Sequence, residues 1–273
     1  MEKKILNVTD LSSYLYCPCQ FYLQKVKGLR QPPTQPMIEG SIRHQILETF
    51  GNNEENLFQN LELINHTLTS EKIKQHYQEF LKKIVKNIFQ KNTRPIKAFQ
   101  INIQELYKKI RKQMNKEIAL RIPAIENTLR KGFTGKKLWE NLTPKYLSEY
   151  PLVSKNLGLR GRADRLMIAE NTIIPFELKT REVERIYPSD EVQLTAYAML
   201  LEEKFNIKIP IAILESGDTK HELTITPQHK QKVLNLIQEV NQLLETGKPK
   251  FPSSFSKCQN CFFEKECNQL EEK

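Results

Sequence analysis

Acidic and basic side chains recur at short spacing in two pieces of the chain, residues 161–164 (GRAD) and residues 177–179 (ELK). Residues two apart in a strand share a face, so Glu177 and Lys179 are predicted to point the same way while Leu178 faces the core. A turn at Glu170–Asn171 pairs position 164 with position 177, because that pairing centres between 170 and 171. The carboxylates of Asp164 and Glu177 are therefore expected to meet.

The chemistry that these residues favour is metal-assisted attack of water on a phosphate. Two carboxylates form a hard oxygen site that suits Mg²⁺ or Mn²⁺, and a lysine beside it can orient or deprotonate the water and stabilise negative charge. A surface ion-pair cluster is the alternative explanation. The position of Glu177 and Lys179 at the end of the apolar run IIPFELK favours a functional site, because unpaired charges there are costly.

Three of the five cysteines form a second pattern of potential ligands. Cys258, Cys261 and Cys267 are spaced C-x2-C-x5-C, which lets their thiolates converge on one metal centre. Zinc and iron–sulfur sites usually take four ligands, so the fourth is expected from Cys17 or Cys19. The spacing fits zinc and a cluster equally well, and buried thiols without metal are the remaining alternative.

The first half of the chain has helical patterning. A helix is predicted over residues 10–27, begun by Asp10 or Ser12 and carrying Cys17 on it or at a break near Pro18. Residues 37–50 place His44 beside the apolar face of a second helix. Residues 51–150 are predicted to be almost wholly helical, with breaks at residues 92–95, Pro123, Gly132 and Gly135.

The pattern changes to alternating strands from Pro151. Three strands, separated by turns at 156–158 and 170–171, are followed by a helix from about Asp190 to Lys204. Two further strands, over 209–216 and 220–227, join at Gly217–Asp218 and precede a long helix that ends near Thr246. This order predicts a small central sheet flanked by helices.

Charge is concentrated in one segment. The 273 residues carry 42 Lys and Arg against 32 Asp and Glu, a net +10, and residues 81–137 alone hold 16 Lys and Arg and 3 Glu, a net +13. A solvated helical face is one explanation, but an excess of this size favours contacts with phosphates. The chain has neither an apolar run long enough for a membrane span nor the apolar start of a signal peptide. These two observations predict a soluble cytoplasmic protein with no membrane partner.

The acidic pair and its neighbours resemble a known family. Asp164 followed by Glu177-Leu178-Lys179 resembles the motif of the PD-(D/E)XK nucleases. Gln193 and Tyr197 are similar to the Q-x3-Y motif of the RecB-like branch, in which both side chains face the site from the next helix. Residues 40–44, GSIRH, are similar to the G…H element of that branch, whose histidine adds a nitrogen ligand to the metal.

Both ends of the chain extend the resemblance. Cys17 with the three C-terminal cysteines is similar to the iron–sulfur variant of the branch, in which one N-terminal cysteine and a C-x2-C-x5-C tail hold a [4Fe–4S] cluster. Residues 11–18, LSSYLYCP, are similar to the start of the CRISPR-associated exonucleases, the type-four Cas proteins. Cys19 departs from the expected basic residue after Cys-Pro and could compete as a ligand.

The resemblance implies a fold and a set of roles. The fold is α/β (α+β), with a small mixed central sheet flanked by helices, as in restriction endonucleases. One or two Mn²⁺ or Mg²⁺ ions would be held by Asp164, Glu177, the Leu178 carbonyl and His44. Lys179 would position the attacking water, while Gln193 holds Lys179 or a DNA phosphate and Tyr197 packs beside it. The [4Fe–4S] ligands would be Cys17, Cys258, Cys261 and Cys267.

The resemblance also implies an organisation and partners. Residues 1–50 would supply a cluster cysteine and the metal histidine, 51–150 a basic helical lobe, 151–250 the nuclease core and 251–273 the cysteine tail. The implied activity is metal-dependent cleavage of DNA, as an exonuclease on single-stranded or frayed ends, beside a CRISPR adaptation integrase that takes up spacer precursors. A repair nuclease of the same fold and a non-catalytic iron–sulfur DNA-binding subunit are the alternatives.

Overall fold

Two compact units make up the chain. The computed structural model describes residues 5–61, 69–179, 183–216, 219–251, 258–259 and 261–271. The first unit comprises Met1–Pro32, Tyr150–Arg165 and Ile173–Lys273, and the second comprises Pro33–Glu149 and Leu166–Thr172, each as far as it is described. The domain bounds at 50, 150 and 250 stay a prediction.

Six strands form one mixed sheet. They are β1 Leu6–Asn7, β2 Lys145–Ser154, β3 Leu159–Ala169, β4 Thr172–Lys179, β5 Ile211–Ser216 and β6 Thr219–Thr224. The order is β1-β3-β4-β5-β6, with β2 beside β3. β1 runs parallel to β3 and β4 parallel to β5, whereas β5 and β6 are antiparallel. The turn at Glu170–Asn171 lies where it was predicted, and the predicted turn at Gly217–Asp218 lies outside the described residues.

Helices account for most of the remaining described chain. They are α1 Val8–Tyr16, α2 Pro18–Lys25, α3 Gln35–Asn52, α4 Glu54–Leu61, α5 Ser70–Lys91, α6 Thr93–Ala98, α7 Ile103–Arg130, α8 Gly135–Glu140, α9 Pro188–Phe205, α10 Pro227–Thr246 and α11 Glu264–Glu271. None of the described helices combines the length and the apolar character that a membrane crossing requires.

Helix α9 is the central helix of the first unit. It packs against α1, α10 and strand β5. Leu194, Ala196, Ala198 and Leu201 are fully buried, as expected for a helix that is covered on several sides. A mixed sheet flanked by helices is the fold class that the sequence predicts, and the fold class is confirmed.

The second unit has its own core between α3, α5 and α7. The rings of Phe50 and Tyr77 stack in it at 5.7 Å between centroids. The core also contains a charged group, because the Arg121 guanidinium is 1% exposed and donates to Glu54 at 2.9 Å and to Glu117 at 2.8 Å. Pairing and hydrogen bonding offset the cost of burying these charges.

Three local predictions are corrected. Helix α7 continues through Pro123, where a break was expected, because buried side chains on both sides of the proline, Ile118 and Ile125, pack in the core and outweigh the lost hydrogen bond. Strand β2 begins at Lys145, inside the region predicted to be helical, because it pairs with β3. Helix α1 is capped by Asn7 rather than Asp10 or Ser12. Of the two predicted placements of Cys17, on the helix or at a break near Pro18, the structure shows the break.

Candidate active site

The hairpin of β3 and β4 positions the two predicted carboxylates. Asp164 on β3 and Glu177 on β4 are both buried, at 8% and 6% exposure. The Leu178 backbone N–H donates to Asp164 Oδ2 at 2.7 Å, which places the Asp164 carboxylate against the end of β4. The tight turn and the strand period of two residues explain this register. The hairpin therefore brings Asp164 to the Glu177-Leu178-Lys179 segment.

Both oxygens of Glu177 accept hydrogen bonds. Lys179 Nζ donates to Oε1 at 2.9 Å, as expected for side chains two apart on one strand face. Gln193 Nε2, from α9, donates to Oε2 at 2.7 Å. Lys179 Nζ also lies 2.9 Å from Asp190 Oδ1 in the first turn of α9. Strand β4 and helix α9 thus share one network of charged hydrogen bonds.

The charge state of Lys179 follows from its surroundings. Burial opposes the protonated form, but the carboxylates of Glu177 and Asp190 outweigh burial and raise the pKa of Lys179 above its usual value. The side chain is a cation and a hydrogen-bond donor at neutral pH. It can orient a water molecule or stabilise negative charge. To act as a base it would first have to lose its proton, which the carboxylates of Glu177 and Asp190 oppose.

Gln193 and Tyr197 lie one turn apart on α9. Gln193 Nε2 lies 3.5 Å from Tyr197 Oη, and Tyr197 is 2% exposed. Gly161 on β3 makes room for this tyrosine, because an added Cβ would lie 2.8 Å from Tyr197 Cε1 and 2.9 Å from Val8 Cγ2. The glycine of the GRAD segment is thus explained by close packing against α1 and α9.

His44 lies on α3, in the second unit. Its Nδ1 is 2.6 Å from Oε1 of Glu149, whose side chain is 5% exposed, while the histidine side chain is 56% exposed. A carboxylate on one ring nitrogen fixes the tautomer and the ring orientation, as in many metal-binding histidines. Glu149 has a φ of 51°, an uncommon left-handed conformation for glutamate. The pairing of His44 with Glu149 is suited to a metal ligand.

Sequence analysis missed two of these carboxylates. Glu149 falls in the region that is predicted to be almost wholly helical, whereas the structure shows it as a buried acid on strand β2. The sequence pattern marks Asp190 only as the start of a helix. Its position three residues before Gln193 was a usable signal, since residues three apart share a helix face.

The predicted cluster cysteines converge on one cavity in the first unit. Cys17, Cys258, Cys261 and Cys267 all line a small cavity, together with side chains that include Tyr16 and Phe263. Cys17 lies at the junction of α1 and α2, where its Sγ accepts the Gln20 N–H at 3.4 Å. Four thiols around one space form the donor set that zinc or an iron–sulfur cluster requires.

Cys19 is placed differently from the other cysteines. It is fully buried and is not among the residues that line the cavity, and its Sγ lies 2.7 Å from Cys267 Sγ. Burial, followed by the contact with Cys267, raises the pKa of Cys19 well above its usual value. Cys17 thus lines the cavity itself, whereas Cys19 contacts one of the lining thiols, Cys267.

Comparison with known proteins gives relatives with a common name. The "CRISPR-associated exonuclease Cas4/endonuclease Cas1 fusion" of Leptospira interrogans serogroup Icterohaemorrhagiae serovar Lai (strain 56601) is 25% identical over 143 residues, 47% of this chain and 26% of the relative. The protein of the same name from Myxococcus xanthus (strain DK1622) is 38% identical over 63 residues, 21% of this chain and 11% of the relative. The chain thus spans 26% or less of the length of these curated relatives.

A solved structure and a family model also match this chain. The solved structure named "Crystal structure of SSO0001" matches with 14% identity, covering 79% of this chain and 92% of that one, at a TM-score of 0.29. The family model described as the PD-(D/E)XK nuclease superfamily matches residues 5–268. That match covers nearly the whole chain and includes Asp164, Glu177 and Lys179, so this chain belongs to the PD-(D/E)XK nuclease superfamily.

Proposed function

We propose that this chain is a metal-dependent deoxyribonuclease whose reaction takes place at Asp164, Glu177 and Lys179. The observation that carries the proposal is the network at the end of β4, where Asp164 accepts the Leu178 N–H and Glu177 accepts Lys179 and Gln193. Two buried carboxylates beside a protonated lysine match the requirements for hydrolysis of a phosphodiester.

The residues fit a hard divalent cation, Mn²⁺ or Mg²⁺. Asp164, Glu177 and the Leu178 carbonyl supply oxygen ligands, which these ions prefer. Family resemblance adds His44 as a nitrogen ligand, and its bond to Glu149 supports that role because it fixes the ring. When bound, the ion would polarise the scissile phosphate and lower the pKa of a bound water.

The remaining residues orient the reacting groups. Lys179 donates a hydrogen bond to the attacking water and stabilises the charge that develops on the phosphate. Gln193 holds the Glu177 carboxylate in place from α9. Tyr197 fixes Gln193 and packs against Gly161. The chain's own part in catalysis is thus to hold ligands and donors in a fixed arrangement.

We further propose an exonuclease that acts on single-stranded or frayed DNA ends in CRISPR spacer-precursor processing. Support comes from the names of the relatives, which join an exonuclease to an endonuclease Cas1 in one chain. A Cas1-type integrase is accordingly the proposed partner. The net charge of +13 over residues 81–137 supports binding to DNA phosphates.

A [4Fe–4S] cluster held by Cys17, Cys258, Cys261 and Cys267 is proposed as the second cofactor. Support comes from the cavity that these four side chains line. Its role is structural, because it would join residue 17 to the C-terminal tail and close a loop of about 240 residues. Zinc in the same site is the alternative that metal analysis decides.

Cleavage of end-labelled single-stranded DNA tests the function. Asp164→Ala, Glu177→Ala and Lys179→Ala should each abolish Mn²⁺-dependent cleavage while DNA binding survives, because they remove transition-state stabilisation. His44→Ala should be milder and partly rescued by more Mn²⁺, since the carboxylates still hold an ion. Glu222→Ala, a change at an exposed acid on β6, is the matched control and should cut normally.

Three results would contradict the proposal in whole or in part. A wild-type protein that binds DNA yet cuts none in reducing buffer with ample Mn²⁺ would favour the non-catalytic DNA-binding subunit. Full activity in Glu177→Ala would refute the assigned site. Cleavage of circular single strands would replace the exonuclease assignment with an endonuclease and leave the site intact.

A further inference from the structure

The ammonium group of Lys179 lies between two carboxylates, and they differ in what else they do. Glu177 Oε1 and Asp190 Oδ1 each lie 2.9 Å from Lys179 Nζ. Glu177 also accepts a hydrogen bond from Gln193 through its second oxygen. Asp190 is 7% exposed, and its backbone N–H bonds the Tyr187 carbonyl at 2.9 Å.

We propose that Asp190 is the positioning residue that holds Lys179 in its catalytic orientation. The inference rests on the proposed function, in which Glu177 binds the divalent ion. With a cation bound, Glu177 would attract the ammonium group of Lys179 less strongly, because its negative charge would be compensated. Asp190 is then the carboxylate that keeps the ammonium group at the site, since it is not among the proposed metal ligands.

Helix α9 provides a fixed position for Asp190. The residue lies in the first turn of the helix, where the positive end of the helix dipole favours a negative charge. A lysine side chain has four flexible carbons and needs such an anchor to keep one direction. A small displacement of a reacting group is enough to reduce a rate strongly.

Glu191 provides a matched control on the same helix. It is the next residue, it also carries a carboxylate, and it pairs with Lys232 on α10 at 2.8 Å. A change at Glu191 therefore removes an acidic side chain and an ion pair from the first turn of α9. The ion pair between Asp190 and Lys179 stays in place.

Single-turnover cleavage of end-labelled single-stranded DNA in Mn²⁺ tests the proposal. Asp190→Asn should lower the rate constant by about tenfold or more, while the Kd for DNA and the Mn²⁺ concentration at half-maximal rate change by less than about twofold. Asp190→Glu should recover part of the rate because it restores the charge. Glu191→Gln should match the wild type in all three measurements.

Each other outcome has a distinct meaning. An unchanged rate in Asp190→Asn, with an active wild type, would overturn the inference and leave the nuclease in place. A rate loss that extra Mn²⁺ restores would make Asp190 a metal ligand instead. A melting temperature that falls together with the rate, with no recovery in Asp190→Glu, would make its role purely structural. An inactive wild type would overturn both this inference and the proposed function.

Discussion

Gln193 on α9 donates through Nε2 to Oε2 of Glu177 on β4 at 2.7 Å. The two residues are separated by 16 positions in the chain, and the hydrogen bond links strand β4 to helix α9. A carboxylate that must bind an ion in one orientation gains from such a second contact, because its rotation is restricted.

Gln193→Ala should reduce cleavage without abolishing it. A hydrogen bond to a charged group contributes about 1.5–3 kcal/mol, so the rate should fall by about 10- to 150-fold. DNA affinity should be nearly unchanged, since Gln193 is assigned to Glu177. The control is Gln231→Ala on α10, whose amide bonds only the exposed Asn235 in the described contacts. A Gln193 variant as active as the wild type would mean that Glu177 needs no support.

Gly161→Ala should destabilise the protein. The added methyl group would overlap Tyr197 and Val8, at 2.8 and 2.9 Å, and overpacking costs about 1–3 kcal/mol. Gly40→Ala is the opposite case, because an added Cβ at that helical position meets nothing within 4 Å. It should stabilise α3 by about 0.5–1 kcal/mol. Urea unfolding monitored by circular dichroism measures both, and equal shifts in the two variants would contradict the packing argument.

The lysines at the end of α5 should bind DNA phosphates. Residues 80–104 contain no Asp or Glu, and Lys82, Lys83 and Lys86 are exposed there. Changing the three to Gln should weaken binding to all DNA sequences alike. It should also reduce the slope of log affinity against log salt by about 0.7 per lost contact with single-stranded DNA.

Ion-paired lysines of the first unit give the control for that experiment. Lys230 and Lys232 on α10 lie 2.7 and 2.8 Å from carboxylates of Glu202 and Glu191. Their replacement by Gln should change the salt slope less, because their charge is already compensated. An unchanged slope in the α5 variant would show that the basic segment is only a solvated face.

Cysteine variants should separate cluster ligands from Cys19. Protein purified without oxygen should be brown, and Cys→Ser at positions 17, 258, 261 or 267 should bleach the visible absorption and lower the melting temperature. Cys19→Ala should keep the colour, since Cys19 does not line the cavity. Stoichiometric zinc without iron would refute the cluster and keep the four-cysteine site. Loss of colour in Cys19→Ala with retention in Cys17→Ser would exchange the two assignments.

Local rules were enough for the centre of the site. The meeting of Asp164 with the Glu177 segment follows from a two-residue turn and from the period of a strand, both of which are properties of neighbouring residues. The break between α1 and α2 follows in the same way from Pro18, which starts the second helix. The sequence alone therefore determined the order of the elements around the hairpin and the residues it presents.

Tertiary packing decided the features that depend on contacts between residues far apart in the sequence. Pro123 lies within α7 because the buried side chains around it hold the helix, and the segment from Lys145 is a strand because β3 pairs with it. The contact of Asp190 with Lys179 and that of Glu149 with His44 join residues 11 and 105 positions apart. Such contacts depend on how helices and strands pack, since burial and charge pairing between distant segments outweigh local preference.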